Sequence, residues 1–179
     1  MPLPPLAELG SRIMICGTSN TGKSTLAVAL ARRLDLPVVH LDRLRFLAGT
    51  DWQQRPDVEF RDLHDQQVLG ERWIIEGNYT ALMPARLSRA SGIILLSDHR
   101  FANFGRYLWR TLFQHDRVGN LEGNRDSLKW DMVRWVLVQG PRNVIRYRTM
   151  LPATGLPFVH IRSMRRLRQL YREWGLERP

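Results

Sequence analysis

Short apolar runs recur along this chain, separated by longer stretches in which apolar positions follow a helical period. The runs favour β-strands at residues 13–16, 37–42, 72–79, 92–98 and 158–162. Helical patterns lie between them, at residues 26–34, 56–70, 81–90 and 163–174. Strands that alternate with helices pair in parallel, so the pattern predicts an α/β three-layer sandwich around a five-stranded parallel sheet.

The stretch from residue 99 to about residue 157 interrupts this alternation. It is rich in Arg and Trp, and a turn-prone middle at 119–124 is flanked by helical patterns, which indicates a mobile helical lid. A length of 179 residues favours a single domain, 1–179, with the lid as an insertion. Residues 1–10 are expected to form a flexible lead-in.

The segment between the first strand and the first helix carries a sequence motif. Residues 17–24 read Gly-Thr-Ser-Asn-Thr-Gly-Lys-Ser, a complete G-x-x-x-x-G-K-[ST] phosphate loop, or P-loop. In such a loop, backbone N–H groups and the helix N-terminus bind phosphate oxygens. Lys23 is expected to reach the β- and γ-phosphates, and Ser24 is expected to bind Mg²⁺. The predicted nucleotide-binding residues are Gly17, Thr18, Ser19, Asn20, Thr21, Gly22, Lys23, Ser24 and Thr25.

Lysine usage supports this interpretation. The chain has 27 basic residues, of which only Lys23 and Lys129 are lysines. One of the two therefore occupies the motif position, where a compact ammonium fits better than a bulkier guanidinium.

Charge and cysteine content limit the partners. The net charge is +10, and the whole excess lies after residue 98, which indicates a surface facing phosphate or nucleic acid. The lone Cys16 cannot form an internal disulfide, which fits a reducing cytoplasm. No apolar run approaches the roughly 18 residues of a membrane span, so no membrane partner is expected. The spacing of the histidines predicts no zinc site.

Acidic residues lie at or near the carboxyl ends of three predicted strands. Because parallel strands direct their carboxyl ends into one crevice, Gly17, Asp42, Glu76 and Asp98 are expected to converge. Asp42 is predicted to hydrogen-bond an acceptor molecule or take its proton, with a helix cap or loop ion pair as the alternative. Glu76 is predicted to hold a water on Mg²⁺ or to orient the acceptor, with a structural ion pair as the alternative.

Arginines provide the mobile positive charge that phosphoryl transfer requires. Arg106, Arg110 and Arg117 begin the insertion and are predicted to clamp the transferring phosphoryl group, although solvated surface positions are the alternative. Arg86 is predicted to hold an acceptor phosphate, and Asn78 is predicted to contact the acceptor.

The chain resembles P-loop kinases of the adenylate-kinase-like group over nearly its whole length, and within that group it resembles the DNA topology modulation proteins. The resemblance rests on the phosphate loop through Ala27 and on segments 40–42, 73–79, 108–110 and 161–163. It implies ATP as the nucleotide, an acceptor region after the second strand, an arginine-bearing lid and adenine packing near Arg162. Residues 118–124 depart from the glycine–cysteine–proline stretch that usually follows the lid in this family.

Two functions are therefore expected. The first is an ATP- and Mg²⁺-dependent kinase acting on a nucleotide or another small-molecule acceptor. The alternative is a nucleotide-regulated nucleic-acid-binding protein that affects DNA topology. An ATPase or GTPase switch is a third possibility, but no motif specifies guanine. The sequence leaves the oligomeric state open.

Overall fold

A computed structural model describes residues 3–50, 52–113 and 138–179. Its sheet contains β1 (Arg12–Gly17), β2 (Val38–His40), β3 (Trp73–Glu76), β4 (Gly92–Leu96) and β5 (Phe158–Ile161). The strands lie in the order β2-β3-β1-β4-β5, and each neighbouring pair is parallel. The predicted α/β class and the five-stranded parallel sheet are confirmed.

Helices connect and cover these strands. They are α1 (Lys23–Leu34), α2 (Leu41–Arg45), α3 (Asp57–Val68), α4 (Met83–Leu87), α5 (Arg100–Phe113), α6 (Gly140–Met150) and α7 (Met164–Glu173), with 3-10 helices at Leu6–Leu9, Thr80–Leu82 and Pro152–Thr154. Ser163 caps α7, as its position predicts, because its side chain accepts a hydrogen bond from the Arg166 backbone. None of the helices in the described ranges is long and apolar enough to cross a membrane.

The core lies on both faces of the sheet, and β1 shows why. Ile13 and Ile15 pack in one buried cluster, whereas Met14 and Cys16 pack in the other. A central parallel strand is covered on both sides, so β1 is apolar at consecutive positions from Ile13 to Cys16 rather than at alternate ones. Burial raises the pKa of the Cys16 thiol to about 12, so Cys16 is an unreactive residue of the core.

Two sequence predictions need correction. The second strand ends at His40, and Asp42 lies in the first turn of α2 rather than at a strand end. Residues 3–10 are not a flexible lead-in, because Leu9 is fully buried and the Trp174 indole donates to the Pro4 carbonyl at 3.0 Å. The predicted turn at 119–124 lies outside the described residues.

The first residue of the phosphate loop is constrained by its neighbour strand. Gly17 has a φ of +140°, and a Cβ built there would lie 1.8 Å from the Leu96 carbonyl oxygen. This close approach brings the start of the loop against β4, and only glycine permits it.

We therefore expect Gly17→Ala to lower the free energy of unfolding by about 3 kcal/mol or more, because it combines backbone strain with a clash against backbone atoms. Gly155→Ala is the matched control, since Gly155 has a φ of +72° with no atom within 4 Å of an added Cβ. It should cost about 1 kcal/mol. Urea unfolding measures both, and equal losses would show that the contact with Leu96 is unimportant.

Candidate active site

The phosphate loop joins β1 to α1 and curls around its own backbone. The Lys23 ammonium donates to the Thr18 carbonyl at 3.0 Å, and the Thr21 hydroxyl donates to the same oxygen at 2.7 Å. Asn20 and Gly22 adopt φ values of +61° and +82°. These turns place the N-terminus of α1, with its unpaired N–H groups, at the mouth of the loop.

Glu76 lies beneath this loop at the end of β3. Its carboxylate accepts hydrogen bonds from Ser24 Oγ at 3.2 Å and from His40 Nδ1 at 3.1 Å, and Lys23 Nζ is 4.0 Å away. Burial alone raises the pKa of Glu76, but the His40 hydrogen bond, the Lys23 charge and the Ser24 hydroxyl outweigh it, so the pKa lies below its usual value. Glu76 is therefore a buried, ionised carboxylate next to the loop.

Asp42 lies close enough to Glu76 for the two charges to interact. Burial in the crevice and the Glu76 charge raise the pKa of Asp42, even though the residue keeps an exposed surface. The Tyr79 hydroxyl donates to Asp42 Oδ1 at 2.6 Å. Burial, and after it the Asp42 carboxylate, raises the pKa of Tyr79, so the phenol remains a hydrogen-bond donor at neutral pH. Asp42 and Tyr79 thus form a polar pair at the opening.

Asn78 ties β3 to the phosphate loop. Its side-chain amide accepts from the Gly17 N–H at 2.9 Å and donates to the Gly17 carbonyl at 2.9 Å. This paired contact occupies both polar atoms of the amide. The predicted contact between Asn78 and an acceptor stays a prediction, while the described contacts give Asn78 a role in positioning the loop.

Arg86 is fully buried beneath the turn that follows β3. Its guanidinium donates to the carbonyls of Gly77 at 2.8 Å and Tyr79 at 3.1 Å, and to the carbonyl of Asn78. Burial lowers the pKa of Arg86 to about 10, so it is still charged at neutral pH. The prediction that Arg86 contacts an acceptor phosphate is wrong for this structure, because its side chain is enclosed and bonded to backbone.

Arg106 of α5 contacts the phosphate loop from the other side. Its guanidinium donates to the Asn20 carbonyl at 2.9 Å, to Asp98 Oδ2 at 2.7 Å and to the side chain of Asn103. Asn103 in turn donates to Thr18 Oγ1 at 3.0 Å. Asp98 therefore anchors an arginine, as its place after β4 allows. The side chain of Arg110 and the whole of Arg117 lie outside the described residues.

Arg162, at the end of β5, contacts a histidine. Its Nε donates to His160 Nδ1 at 3.2 Å, and His160 Nε2 lies 2.8 Å from Ser97 Oγ. Because Nδ1 accepts, the neutral ring carries its proton on Nε2 and donates to Ser97. The network sets the direction of the Arg162 side chain.

The residues present fit a nucleotide with Mg²⁺. Mg²⁺ keeps most of its waters and uses one or two protein oxygens together with phosphate, and Ser24 and Glu76 provide such oxygens 3.2 Å apart. The described residues contain no cluster of three or more His, Cys, Asp or Glu side chains suited to a metal cage. At the loop tip, the Asn20 amide atoms are buried and have no hydrogen-bond partner in the described ranges, which leaves them available to a ligand.

The crevice brings together the phosphate loop, Glu76 and Asp42, and Asp98 lies on its α5 side. The sequence interpretation missed His40 and Asn103. The signal for His40 is positional: it pairs in register with Glu76 on the neighbouring strand. Asn103 lies one turn before Arg106 in α5, but only tertiary packing brings it to Thr18.

Solved structures of several kinases share this fold. A gluconokinase from Sinorhizobium meliloti 1021 aligns with a TM-score of 0.58 at 12% identity, covering 93% of this chain and 90% of its own. A shikimate kinase from Acinetobacter baumannii in complex with shikimate aligns with a TM-score of 0.52 at 14% identity. The alignment covers 94% of this chain and 95% of that kinase. The shikimate kinase of Aquifex aeolicus aligns with a TM-score of 0.51 at 14% identity. The alignment covers 92% of this chain and 96% of that kinase.

No protein-family model and no curated protein sequence matches the chain. At the identities of these solved structures, the similarity demonstrates architecture rather than activity. The chain therefore has the fold of the P-loop kinases.

We expect Arg86→Met to lower the free energy of unfolding by about 3 kcal/mol, because three carbonyls in the buried turn lose their donor. Arg61→Met is the control: Arg61 is exposed on α3, and its loss should change stability by no more than about 0.5 kcal/mol. Urea unfolding measures both variants. If they behave alike, Arg86 does not support the turn.

A pH-dependent stability term is expected from His160. Burial and the charges of Arg162 and Arg148 lower its pKa to about 4, from the ordinary histidine value of 6.5. Below pH 6.5 the unfolded chain binds a proton that the folded chain does not, so His160 makes the free energy of unfolding decrease as pH falls towards 4.

His160→Gln keeps a donor for Ser97 but does not titrate. Between pH 7 and pH 5, the free energy of unfolding of the wild-type protein should fall by about 1 kcal/mol more than that of the variant. This figure allows for the solvent that partly screens the charges around His160. Urea unfolding at the two pH values gives the difference. Parallel pH profiles would mean that His160 titrates normally in the folded state.

Proposed function

We propose that this chain is an ATP- and Mg²⁺-dependent kinase that transfers a phosphoryl group to a nucleotide or another small-molecule acceptor. One observation carries the proposal. Lys23 and Ser24 of the phosphate loop lie 4.0 Å and 3.2 Å from the buried Glu76 carboxylate, and Asp42 lies in the same crevice, hydrogen-bonded to Tyr79. A phosphate cradle, a metal-binding oxygen pair and an orienting carboxylate are the parts that phosphoryl transfer needs.

In this proposal, residues 17–25 bind the triphosphate of ATP and Arg162 packs near the adenine. Lys23 exchanges its hydrogen bond to Thr18 for phosphate oxygens. Ser24 holds the metal directly, and Glu76 holds it directly or through a water. Bound Mg²⁺ supplies neutralisation of the charge on the phosphate oxygens.

Asp42 acts on the acceptor. As the acceptor oxygen bonds to the γ-phosphorus of ATP, the bond from that phosphorus to the β,γ-bridging oxygen breaks and ADP leaves. The proton of the acceptor hydroxyl passes to the Asp42 carboxylate. The raised pKa of Asp42 makes it a better proton acceptor than an ordinary aspartate once it is ionised. The Tyr79 hydroxyl holds this carboxylate in one orientation.

The lid arginines complete the proposal. Arg106, Arg110 and Arg117 neutralise the transferring phosphoryl group and exclude water when the insertion closes over the acceptor. The contacts of Arg106 with Asn20 and Asp98 support a position beside the loop. Closure then requires Arg106 to exchange at least one of these partners for phosphate.

The alternative is nucleotide-regulated binding of nucleic acid, in line with the resemblance to DNA topology modulation proteins. Arg165, Arg168 and Arg172 are exposed on α7, which favours an anionic partner there. We rank the kinase first because its polar groups converge on the phosphate loop. A cytoplasmic location belongs to the same proposal.

ADP release from Mg-ATP across a panel of nucleoside monophosphates, nucleosides, sugars and small acids tests the kinase. At least one acceptor should stimulate turnover, and Lys23→Met should reduce that stimulated rate by about 100-fold or more, because it removes a cation aimed at the phosphates. Arg61→Met should retain the rate. Acceptor-independent hydrolysis alone, or an unaffected Lys23→Met variant, would contradict the proposal.

A further inference from the structure

A groove of about 1290 Å³ runs along the outer edge of β5, away from the Glu76 crevice. Ile145, Arg148 and Thr149 of α6 form one wall. The N-terminal residues 3–5 and Arg166 of α7 contribute to the other side, and residues 157–160 form the floor. None of the groups proposed for phosphoryl transfer takes part except Arg162.

The floor is an unpaired strand edge. The Pro157 and Ile161 carbonyls accept hydrogen bonds from the Ile93 and Ser97 N–H groups of the β4 side. Along a parallel strand, the backbone groups of successive residues point alternately towards and away from the neighbouring strand. The N–H and C=O groups of Phe158 and His160 therefore point away from β4 into the groove. Within the described residues, no hydrogen bond reaches these four groups.

The N-terminal wall does not satisfy this edge. Pro4 and Pro5 line the groove but have no N–H to donate. An unpaired strand edge of this kind pairs readily with an added strand. Ile145, with 65% of its surface exposed, offers an apolar contact beside it.

The charge of the groove selects the occupant. Arg148, Arg162 and Arg166 line it, and Glu8 is the one acidic residue among its described lining residues. Arg148 has no hydrogen bond or ion pair within the described ranges, and Arg162 uses only Nε, on His160. A second copy of this chain would bring the same arginines together across a two-fold axis, which is unfavourable.

We propose that the groove binds an extended acidic peptide segment of a partner protein, added as a sixth strand on β5. The peptide backbone pairs with Phe158 and His160, and its carboxylates meet Arg148 and its neighbours. Single-stranded nucleic acid would match the charge, but it would leave the alternating amide and carbonyl groups of the edge without matching partners.

The probe is a fluorescein-labelled peptide of alternating Glu and Val, with a matched peptide that is N-methylated at every amide. Fluorescence anisotropy measures binding to the full chain. We expect N-methylation to weaken binding by about tenfold, because it removes strand-pairing donors while retaining charge. Arg148→Glu should weaken binding of the unmethylated peptide by a similar factor, whereas Arg61→Glu on the distant α3 should leave that binding unchanged.

Each opposing result overturns the proposal. Equal binding of the two peptides would mean attraction by charge alone. If the protein binds labelled oligothymidine but not the peptide, and Arg148→Glu abolishes that binding, the groove is a nucleic-acid site. Dimerisation in sedimentation velocity, abolished by Ile145→Asp without peptide binding, would identify a self-interface. The absence of any binding would reject the groove as a docking site. Lys23→Met should bind peptide normally, which separates this result from the kinase proposal.

Discussion

The arrangement of the crevice depends on a buried guanidinium beneath the turn after β3. Arg86 donates to three successive backbone carbonyls, those of Gly77, Asn78 and Tyr79. These three hydrogen bonds fix the backbone of the turn and so the direction of the Asn78 and Tyr79 side chains. Asn78 holds the backbone of Gly17 at the start of the phosphate loop, and Tyr79 holds the Asp42 carboxylate. The phosphate loop and the Asp42 side of the crevice are therefore supported by the same turn.

Burying a charge here is tolerated because both terminal nitrogens of the planar guanidinium donate to the carbonyls of a tight turn. Burial lowers the pKa of Arg86 to about 10 but leaves it positive at neutral pH. The nearby carboxylates are differentiated by their partners. Glu76 is kept ionised by His40, Lys23 and Ser24, whereas Asp42 is made more basic by burial and by Glu76. The pKa values of the two carboxylates are therefore shifted in opposite directions.

Local patterns predicted the parts that depend on local physics. The five apolar runs predicted the parallel sheet, and the spacing of Gly17, Gly22, Lys23 and Ser24 predicted the phosphate loop. What failed depends on contacts between distant segments. An arginine in a short helix is normally exposed, so only the packed turn reveals that Arg86 is buried. The interaction of His40 with Glu76 follows from strand register, and the anchoring of residues 3–10 follows from contacts with α7 and its C-terminal Trp174.

The central claim is that Arg86 acts on the phosphate loop through Asn78, and a double-mutant cycle on ATP affinity tests it most directly. Arg86→Met, Asn78→Ala and the double variant would each be titrated with ATP, after urea unfolding has established a temperature at which all are folded. The account predicts that both single variants weaken ATP binding and that the double variant is no weaker than the worse of them, a coupling of about 1 kcal/mol or more. Strictly additive losses, or unchanged affinity in Arg86→Met, would contradict it.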